Sequence, residues 1–418
     1  MRILICGASG FVGATIAERL SRAGHTVVRG VRRPERAGDR AIDYAQDTDV
    51  ATWLPRLAGI DVVINAVGIL IERGRQRFEA IHQQAPCALF AACQQAGVQR
   101  VVQISALGAD RGDTTYFQSK RATDAFLMTL PIAWQVVRPS LIYGPTGASA
   151  RMFRMLASLP LVFLPAGGEQ LLQPIHVDDL SAVVLKLIDP TTPAGQCLDL
   201  VGPTPITYAA MLRTYRSALG FAAAWSIPVP GPLVSLAAAT VGRIPGVMLT
   251  PDTWKMLRDG STGDATATER LLGQAPRPLA AFISDAERPL LRQEALAAWR
   301  PLLFRGVHAL IWILSGLVAA FVYPLAQTLD LLARVGLAGL PALIVLYGAS
   351  AFDVILGILT LTLPSRRLWL LQIGVILFYT AIIVVALPEY LIHPFGPITK
   401  NLALLALLFD LLAEEERP

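Results

Sequence analysis

The stretch that decides the fold is RILICGASGFVG, residues 2–13. Its first half, Arg2 to Cys6, is a short apolar run, and an apolar period of three to four begins at Phe11, Val12, Ile16 and Leu20. That is the pattern of a strand, a glycine turn and a helix. Gly7 permits a tight turn, Gly10 lets backbone approach a diphosphate without a Cβ in the way, and Gly13 lets the helix lie close on the sheet. The helix start then offers its unpaired N–H groups to an anion. The spacing is GxxGxxG rather than GxGxxG, and its place between an N-terminal strand and a helix makes a dinucleotide the expected ligand.

Working outward, HTVVRGVRRP (25–34) reads as the second strand and ends in Arg32 and Arg33. An acidic residue there would bond a ribose 2′-hydroxyl; arginines favour a 2′-phosphate, so NADP(H) is expected over NAD(H). GIDVVINAVG (59–68) and RVVQISALG (100–108) are further apolar strands, with a helical period over 78–97 between them. Strands alternating with helices predict an α/β, Rossmann-type doubly wound parallel sheet with ligands at the carboxyl ends of its strands. Asn65, Gly68, Ser105 and Gly108 fall at such ends.

DTTYFQSKRATDAF (113–126) holds one of the four lysines of the chain. Tyr116 and Lys120, at i and i+4, share one helix face. A phenol with a pKa near 10 is a poor proton shuttle at neutral pH, and a neighbouring ammonium is expected to favour the phenolate. Ser105, ending the preceding strand, is placed to orient a substrate carbonyl or hydroxyl. Tyr116 is thus the candidate acid/base, with Lys120 its electrostatic partner and a candidate ligand of the nicotinamide ribose.

GASGFVG, NAVG, ISALGAD, YFQSK, VRPSLIYGP (137–145) and QPIHVDDLSAVV (173–184) together resemble an extended or atypical short-chain dehydrogenase/reductase, of the NAD-dependent epimerase/dehydratase kind. The branch is similar to the NADPH-binding accessory subunit of mitochondrial complex I. The resemblance covers about residues 1–295 and implies a serine–tyrosine–lysine site at Ser105, Tyr116 and Lys120. It implies cofactor contacts from Gly7, Ser9, Gly10, Phe11, Val12 and Gly13, and from Arg32, Arg33 and Asp43. Asn65, Ala66, Gly68 and Lys120 follow, with nicotinamide-side contacts from Pro139, Ser140 and Ile142. Cys6 and Val67 depart from the family pattern without removing a reacting group. Because this branch also contains members that hold NADPH without turnover, a structural or redox-sensing role stays open beside the oxidoreductase and epimerase/dehydratase readings.

Composition divides the chain. Charged residues make up 16% of it, against roughly 25% in an ordinary soluble domain, and the deficit lies between Leu303 and Leu412. The expected domains are 1–299, with 190–299 mostly a substrate lobe, and 300–418. GVHALIWILSGLVAAFVY (306–323), residues 340–363 and residues 368–387 can each cross a bilayer of about 30 Å. A fourth span is expected at about Pro397 to Leu412, giving an all-α four-helix transmembrane bundle. This block, including HPFGPITKNLALLALL (393–408), resembles a DoxX-like membrane domain over about 303–412.

Arg300, Arg305, Arg366 and Arg367 flank spans on one side, which the positive-inside rule makes cytoplasmic. A multi-pass protein of the inner (cytoplasmic) membrane is expected, with its N-terminal domain and its AEEERP terminus inside. Asp353, in the middle of the second span, is costly there and a candidate functional group, with His308 a conceivable partner. The apolar stretch 231–247 reads as a buried or interfacial helix. Scattered basic residues argue against nucleic acid, and Asp178–Asp179 in HVDD reads as a helix cap rather than a metal site. The expected partners are the bilayer, a quinone or other lipophilic small molecule, and a membrane redox subunit.

Overall fold

In the computed structural model, which describes residues 1–244, 247–392 and 398–415, the chain forms two compact units, Met1–Ala295 and Leu296–Pro418. The sheet of the first unit consists of β1 (Arg2–Cys6), β2 (Thr26–Val31), β3 (Arg40–Ala41), β4 (Val62–Asn65), β5 (Arg100–Ile104), β6 (Ala133–Pro139) and β7 (Gln196–Leu200). They lie in the order β7-β6-β5-β4-β1-β2-β3, and every pairing is parallel. The chain winds outward from β1 through β2 to β3, then restarts at β4 and winds the other way. The switch point lies between β1 and β4, where Cys6 pairs with Asn65, and ligands of such sheets bind outside the carboxyl ends of these strands.

β1, β4 and β5 have almost no exposed surface because helices cover both faces of the sheet, which is why they read as unbroken apolar runs. One core layer packs Ile3, Ile5, Ile16 and Leu20 with Leu180 and Val184. The other packs Leu4, Val63, Val101, Leu89, Phe90 and Trp53. A third cluster, built on Tyr143, Phe153, Tyr208, Tyr215 and Phe282, fills the lobe that follows the sheet.

The second unit is helical: Arg300–Leu317, Leu325–Arg334, Leu340–Thr362, Arg366–Ala386 and Lys400–Glu414. Among the described residues three helical segments are long and apolar enough to cross a membrane, Arg288–Val322, Leu340–Thr362 and Arg366–Ala386. The expected fourth span is shorter than that. Lys400–Glu414 has 15 residues, about 22 Å of helix against a hydrocarbon core of about 30 Å. The start of that expected span, the 393–397 part of its DoxX-like stretch and the last three residues of AEEERP lie outside the described residues.

Small residues set the helix packing in this unit. A Cβ on Gly316 would lie 2.4 Å from the Ser350 carbonyl oxygen, and one on Gly357 would lie 2.8 Å from that of Ala309. Glycine at such crossings lets helix backbones approach closely, as membrane helices require. Asp353 does not pair with His308. Its Oδ1 accepts from the Tyr379 hydroxyl at 3.4 Å, and neither ring nitrogen of the buried His308 has a partner among the described residues. At one end of the helices the Arg305 guanidinium donates to the carbonyls of Thr360 and Leu361, and at the other Arg334 pairs with Glu389 at 2.6 Å.

Candidate functional site

Gly7 has φ +83, a conformation that L side chains rarely adopt, and its N–H and that of Ala8 donate to the Gly30 carbonyl. The turn therefore hangs from β2 and projects the next residues past the sheet edge. A Cβ on Gly13 would sit 2.2 Å from the Gly7 carbonyl oxygen, so only glycine lets the helix Phe11–Arg22 start this close to the strand. Gly10 caps that helix without a side-chain hydrogen bond. The first-turn N–H groups of Phe11 and Val12 thus have no intrahelical partner and point where an anion can take them. A bare cradle of this kind fits a dinucleotide diphosphate. The Phe11 ring packs under the loop that follows β6, where a Cβ on Gly144 would lie 2.4 Å from Phe11 Cε2.

Across the switch point, Tyr116 and Lys120 lie on the helix Thr115–Thr129, which Thr114 caps by accepting from the Phe117 N–H. Lys120 is 4% exposed. Its ammonium donates to the Ile104 carbonyl at 3.2 Å and the Val67 carbonyl at 3.5 Å. It is thereby held under the carboxyl ends of β4 and β5. Gly68 lies directly over it, with room for a Cβ only 3.1 Å from Nζ. Burial pulls the Lys120 pKa down to about 8, and the Asp124 carboxylate works against that fall.

Tyr116 is set among Phe78, His82 and Phe117, with ring centroids 6.1, 5.5 and 5.5 Å away. Here the structure corrects the expectation of an ammonium-lowered phenol. Burial, with a further push from Asp124, raises the Tyr116 pKa to about 12. Lys120 Nζ is directed at backbone carbonyls, and the surrounding rings leave the half-buried Tyr116 little water to stabilise a phenolate. Tyr116 is therefore a neutral phenol in this state, the form that can donate a proton.

His82 is a neighbour the sequence reading passed over. The Ile69 N–H donates to its Nε2 at 3.0 Å, so Nε2 accepts and Nδ1 carries the proton toward Ser119 Oγ at 2.8 Å. Burial and the Lys120 charge drop its pKa to about 2, which makes it a neutral strut between the 69 loop and the Tyr116 helix rather than a proton carrier.

Asp124, one turn beyond Lys120, is the larger omission. It is 2% exposed, and its Oδ2 accepts from Ser105 at 2.5 Å and faces Arg138 Nε at 3.9 Å. Ser105 is accordingly not aimed at open crevice as expected; its hydroxyl proton is given to Asp124. Burial raises the Asp124 pKa, while Ser105, Lys120 and Arg138 counter it. The signal was available: Tyr116, Lys120 and Asp124 repeat at i, i+4 and i+8 on one face. Replacing Asp124 by Asn removes the charge that keeps Lys120 protonated. The alkaline limb of the rate–pH profile is expected to move below its position near pH 8, and an unmoved limb would remove Asp124 from this role.

Other predicted residues are placed as follows. Asn65 is buried, accepts from Tyr44 and donates to Gln103. Ser140 gives its proton to the Gln173 carbonyl at 2.6 Å. Both brace loops rather than present free side chains. Ser9, Gly10 and Gly68 are exposed; Phe11, Val12, Ala66 and Ile142 are half-buried, and Pro139 is buried. Arg32 and Arg33 are exposed just past β2 and form no ion pair among the described residues, whereas Asp39 is taken by Arg29. Asp43 closes a turn on the Ala45 N–H. The expected acidic cap of the helix Val177–Leu187 is in fact the His176 imidazole, which accepts from the Asp178 N–H.

The NAD(P)H-binding family matches residues 7–157, and the DoxX-like family matches residues 309–409. The chain is 26% identical over 263 residues to an epimerase family protein of Mycobacterium tuberculosis (strain CDC 1551 / Oshkosh), covering 57% of this chain and 84% of that one. It is 26% identical over 260 residues to the ceramide reductase of Caulobacter vibrioides, with 60% and 81% covered. Over 222 residues it is 28% identical to the mitochondrial NADH dehydrogenase [ubiquinone] 1 alpha subcomplex subunit 9 of Arabidopsis thaliana, with 49% and 54% covered.

Among solved structures, a nucleoside-diphosphate-sugar epimerase of Staphylococcus aureus aligns at TM-score 0.56 and 19% identity, covering 68% of this chain and 99% of that one. The NADPH-dependent quinone oxidoreductase of Escherichia coli, complexed with NADPH, aligns at TM-score 0.55 and 20% identity over the same shares. At these identities the structures show the fold.

Proposed function

We propose, for a chain that joins an NAD(P)-binding, epimerase-like domain to a DoxX-like membrane domain, that residues 1–299 move hydride between NADP(H) and the carbonyl or alcohol of a lipophilic, quinone-like substrate. Residues 300–418 anchor that reaction to a membrane. The observation that carries the reading is the buried Lys120 ammonium under Gly68, one helical turn from Tyr116, at the carboxyl ends of β4 and β5. A positive charge held there without a paired carboxylate in hydrogen-bond contact is costly, and a ribose diol of the nicotinamide half would satisfy it.

When bound, the cofactor supplies the hydride; the chain's own groups do the rest. Phe11 and Val12 N–H groups hold the diphosphate. Lys120 orients the ribose, and Tyr116 Oη gives its proton to the carbonyl oxygen in the reductive direction or takes it back in the oxidative one. Asp124 and Ser105 set the charge behind Lys120. The likeness to the ceramide reductase of Caulobacter supports a lipophilic substrate class.

Arg32 and Arg33 support the NADP(H) preference, being exposed past β2 without an acidic neighbour in ion-pair contact. Charge-assisted hydrogen bonds to a phosphate contribute roughly 1.5–3 kcal/mol each. The Arg32→Ala, Arg33→Ala double variant is expected to weaken NADPH at least about tenfold, since about 1.4 kcal/mol is a factor of ten, with NADH nearly unchanged. Direct titration with both cofactors checks this, and equal losses for the two would defeat it. The membrane assigned is the cytoplasmic one, with the first unit inside; a C-terminus on the same side requires the 15-residue helix Lys400–Glu414 to cross as well. The arginines at the Arg305 and Arg366–Arg367 end of the helices support that sidedness.

A second reading rests on the raised Tyr116 pKa and the commitment of Ser105 to Asp124, together with the likeness to a complex I subunit. In it the first unit carries NADPH without turnover inside a membrane complex, and the cofactor co-purifies and resists exchange. An epimerase or dehydratase would recycle its cofactor, so net oxidation of added NADPH separates that case from a reductase.

A further inference from the structure

Two strands of the first unit, Leu161–Pro165 and Trp225–Val229, form a parallel pair in which Leu161 is opposite Trp225 and Phe163 opposite Ile227. Alternation sends Val162 and Leu164 into the lobe's core. It leaves Leu161, Phe163, Trp225 and Ile227 on the outer face, and all four are exposed, Trp225 by 81%. The chain then runs through Pro230 into the helix Gly231–Val241, which has no charged residue. Its inner face, Val234 and Ala238, packs on Trp254. Its outer face presents Leu233, Leu236 (62% exposed) and Val241, with Ile244 just beyond.

A soluble surface rarely leaves so many large apolar side chains together, and such a patch marks an interaction site. Charge identifies the occupant. The helix Gly231–Val241 is uncharged, and Arg243, exposed two residues beyond it, forms no ion pair among the described residues. An uncharged apolar helix with a free cation at its end matches a helix lying in the interface of an anionic bilayer, with that cation among the lipid phosphates. Three segments of this same chain are long and apolar enough to cross a bilayer, so a lipid surface is always tethered to it.

We propose that the outer face of the 161–165/225–229 strand pair and of the helix Gly231–Val241 docks on the surface of an anionic phospholipid bilayer. A lipophilic substrate could then enter the lobe without crossing water. The inference stands apart from the hydride-transfer reading, because its failure would leave the Tyr116 experiments untouched.

The test uses the full chain in nanodiscs containing phosphatidylglycerol, with Cys87 and Cys197 replaced by Ser and a nitroxide on Leu236→Cys or, separately, Trp225→Cys. The native side chains at both positions are exposed, so the substitutions leave the fold intact. The expected result is a label readily reached by oxygen and shielded from a water-soluble nickel complex. Free access of nickel would show a water-facing patch and overturn the proposal. Shielding from both reagents would show that protein, a second copy included, covers the face, and would overturn it equally. An oxygen-to-nickel ratio unchanged in purely zwitterionic lipid would refute the anionic preference.

Discussion

Tyr116→Phe is expected to lower turnover by about 10²- to 10⁴-fold, the range that a positioned acid/base group contributes, while leaving NADPH affinity nearly unchanged. The phenol lies one turn from Lys120 on the shared helix face, and its pKa of about 12 keeps it protonated at neutral pH. His82 cannot replace it, because burial holds the imidazole neutral and both its ring nitrogens are engaged. Phenylalanine keeps the ring contacts with Phe78, His82 and Phe117 and removes only the hydroxyl. The loss should therefore fall on kcat rather than on thermal stability. Turnover retained within a few-fold of wild type would take Tyr116 out of the chemistry and favour the non-catalytic carrier.

Gly13→Val is expected to abolish dinucleotide binding. Even the first carbon of the new side chain would lie 2.2 Å from the Gly7 carbonyl oxygen and 2.8 Å from its carbonyl carbon. Both are backbone atoms fixed by the hydrogen bond from Gly7 N–H to Gly30. The helix start must move off the sheet, carrying with it the Phe11 and Val12 N–H groups that face the diphosphate. Overpacking of this kind costs about 1–3 kcal/mol of stability, and a cradle displaced by an ångström loses an anion altogether. Gly10→Ala is the matched control: its Cβ would be 3.2 Å from the same oxygen, and it should weaken binding far less. Calorimetric titration with NADPH beside a thermal melt measures both quantities. Undiminished affinity in a folded Gly13→Val protein would mean that the cofactor lies elsewhere.

Much of the fold could be read from residues 2–13 and the apolar runs after them, because strands covered on both faces must be continuously apolar and glycine must stand where backbone meets backbone. The break in composition near residue 300 announced the second unit for a similarly local reason, the loss of charge. Tyr116 and Lys120 were legible as a helical pair. Their protonation was not, since it depends on Phe78, His82 and Asp124 arriving from elsewhere in the chain or from a further turn. Ser105 shows the same limit: its position at a strand end was visible, but its partner 19 residues on is set by the helix crossing that strand. The Asp353 partner was misjudged because position along a span does not say which face of which helix it meets; Tyr379 sits one helix away in the chain. The apolar character of 161–165 and 225–229 is plain in the sequence, yet which face is covered depends on a pairing between distant strands.

The crevice at the β1/β4 switch point is expected to seat a dinucleotide with its nicotinamide end at Tyr116. A structure of the full-length protein with NADPH tests it most directly. The expected result is the diphosphate on the N–H groups of Phe11 and Val12, the nicotinamide ribose in hydrogen-bond contact with Lys120, and the ring beside the Tyr116 hydroxyl. A cofactor bound with its nicotinamide away from residues 116 and 120, or bound outside the glycine turn, would contradict it.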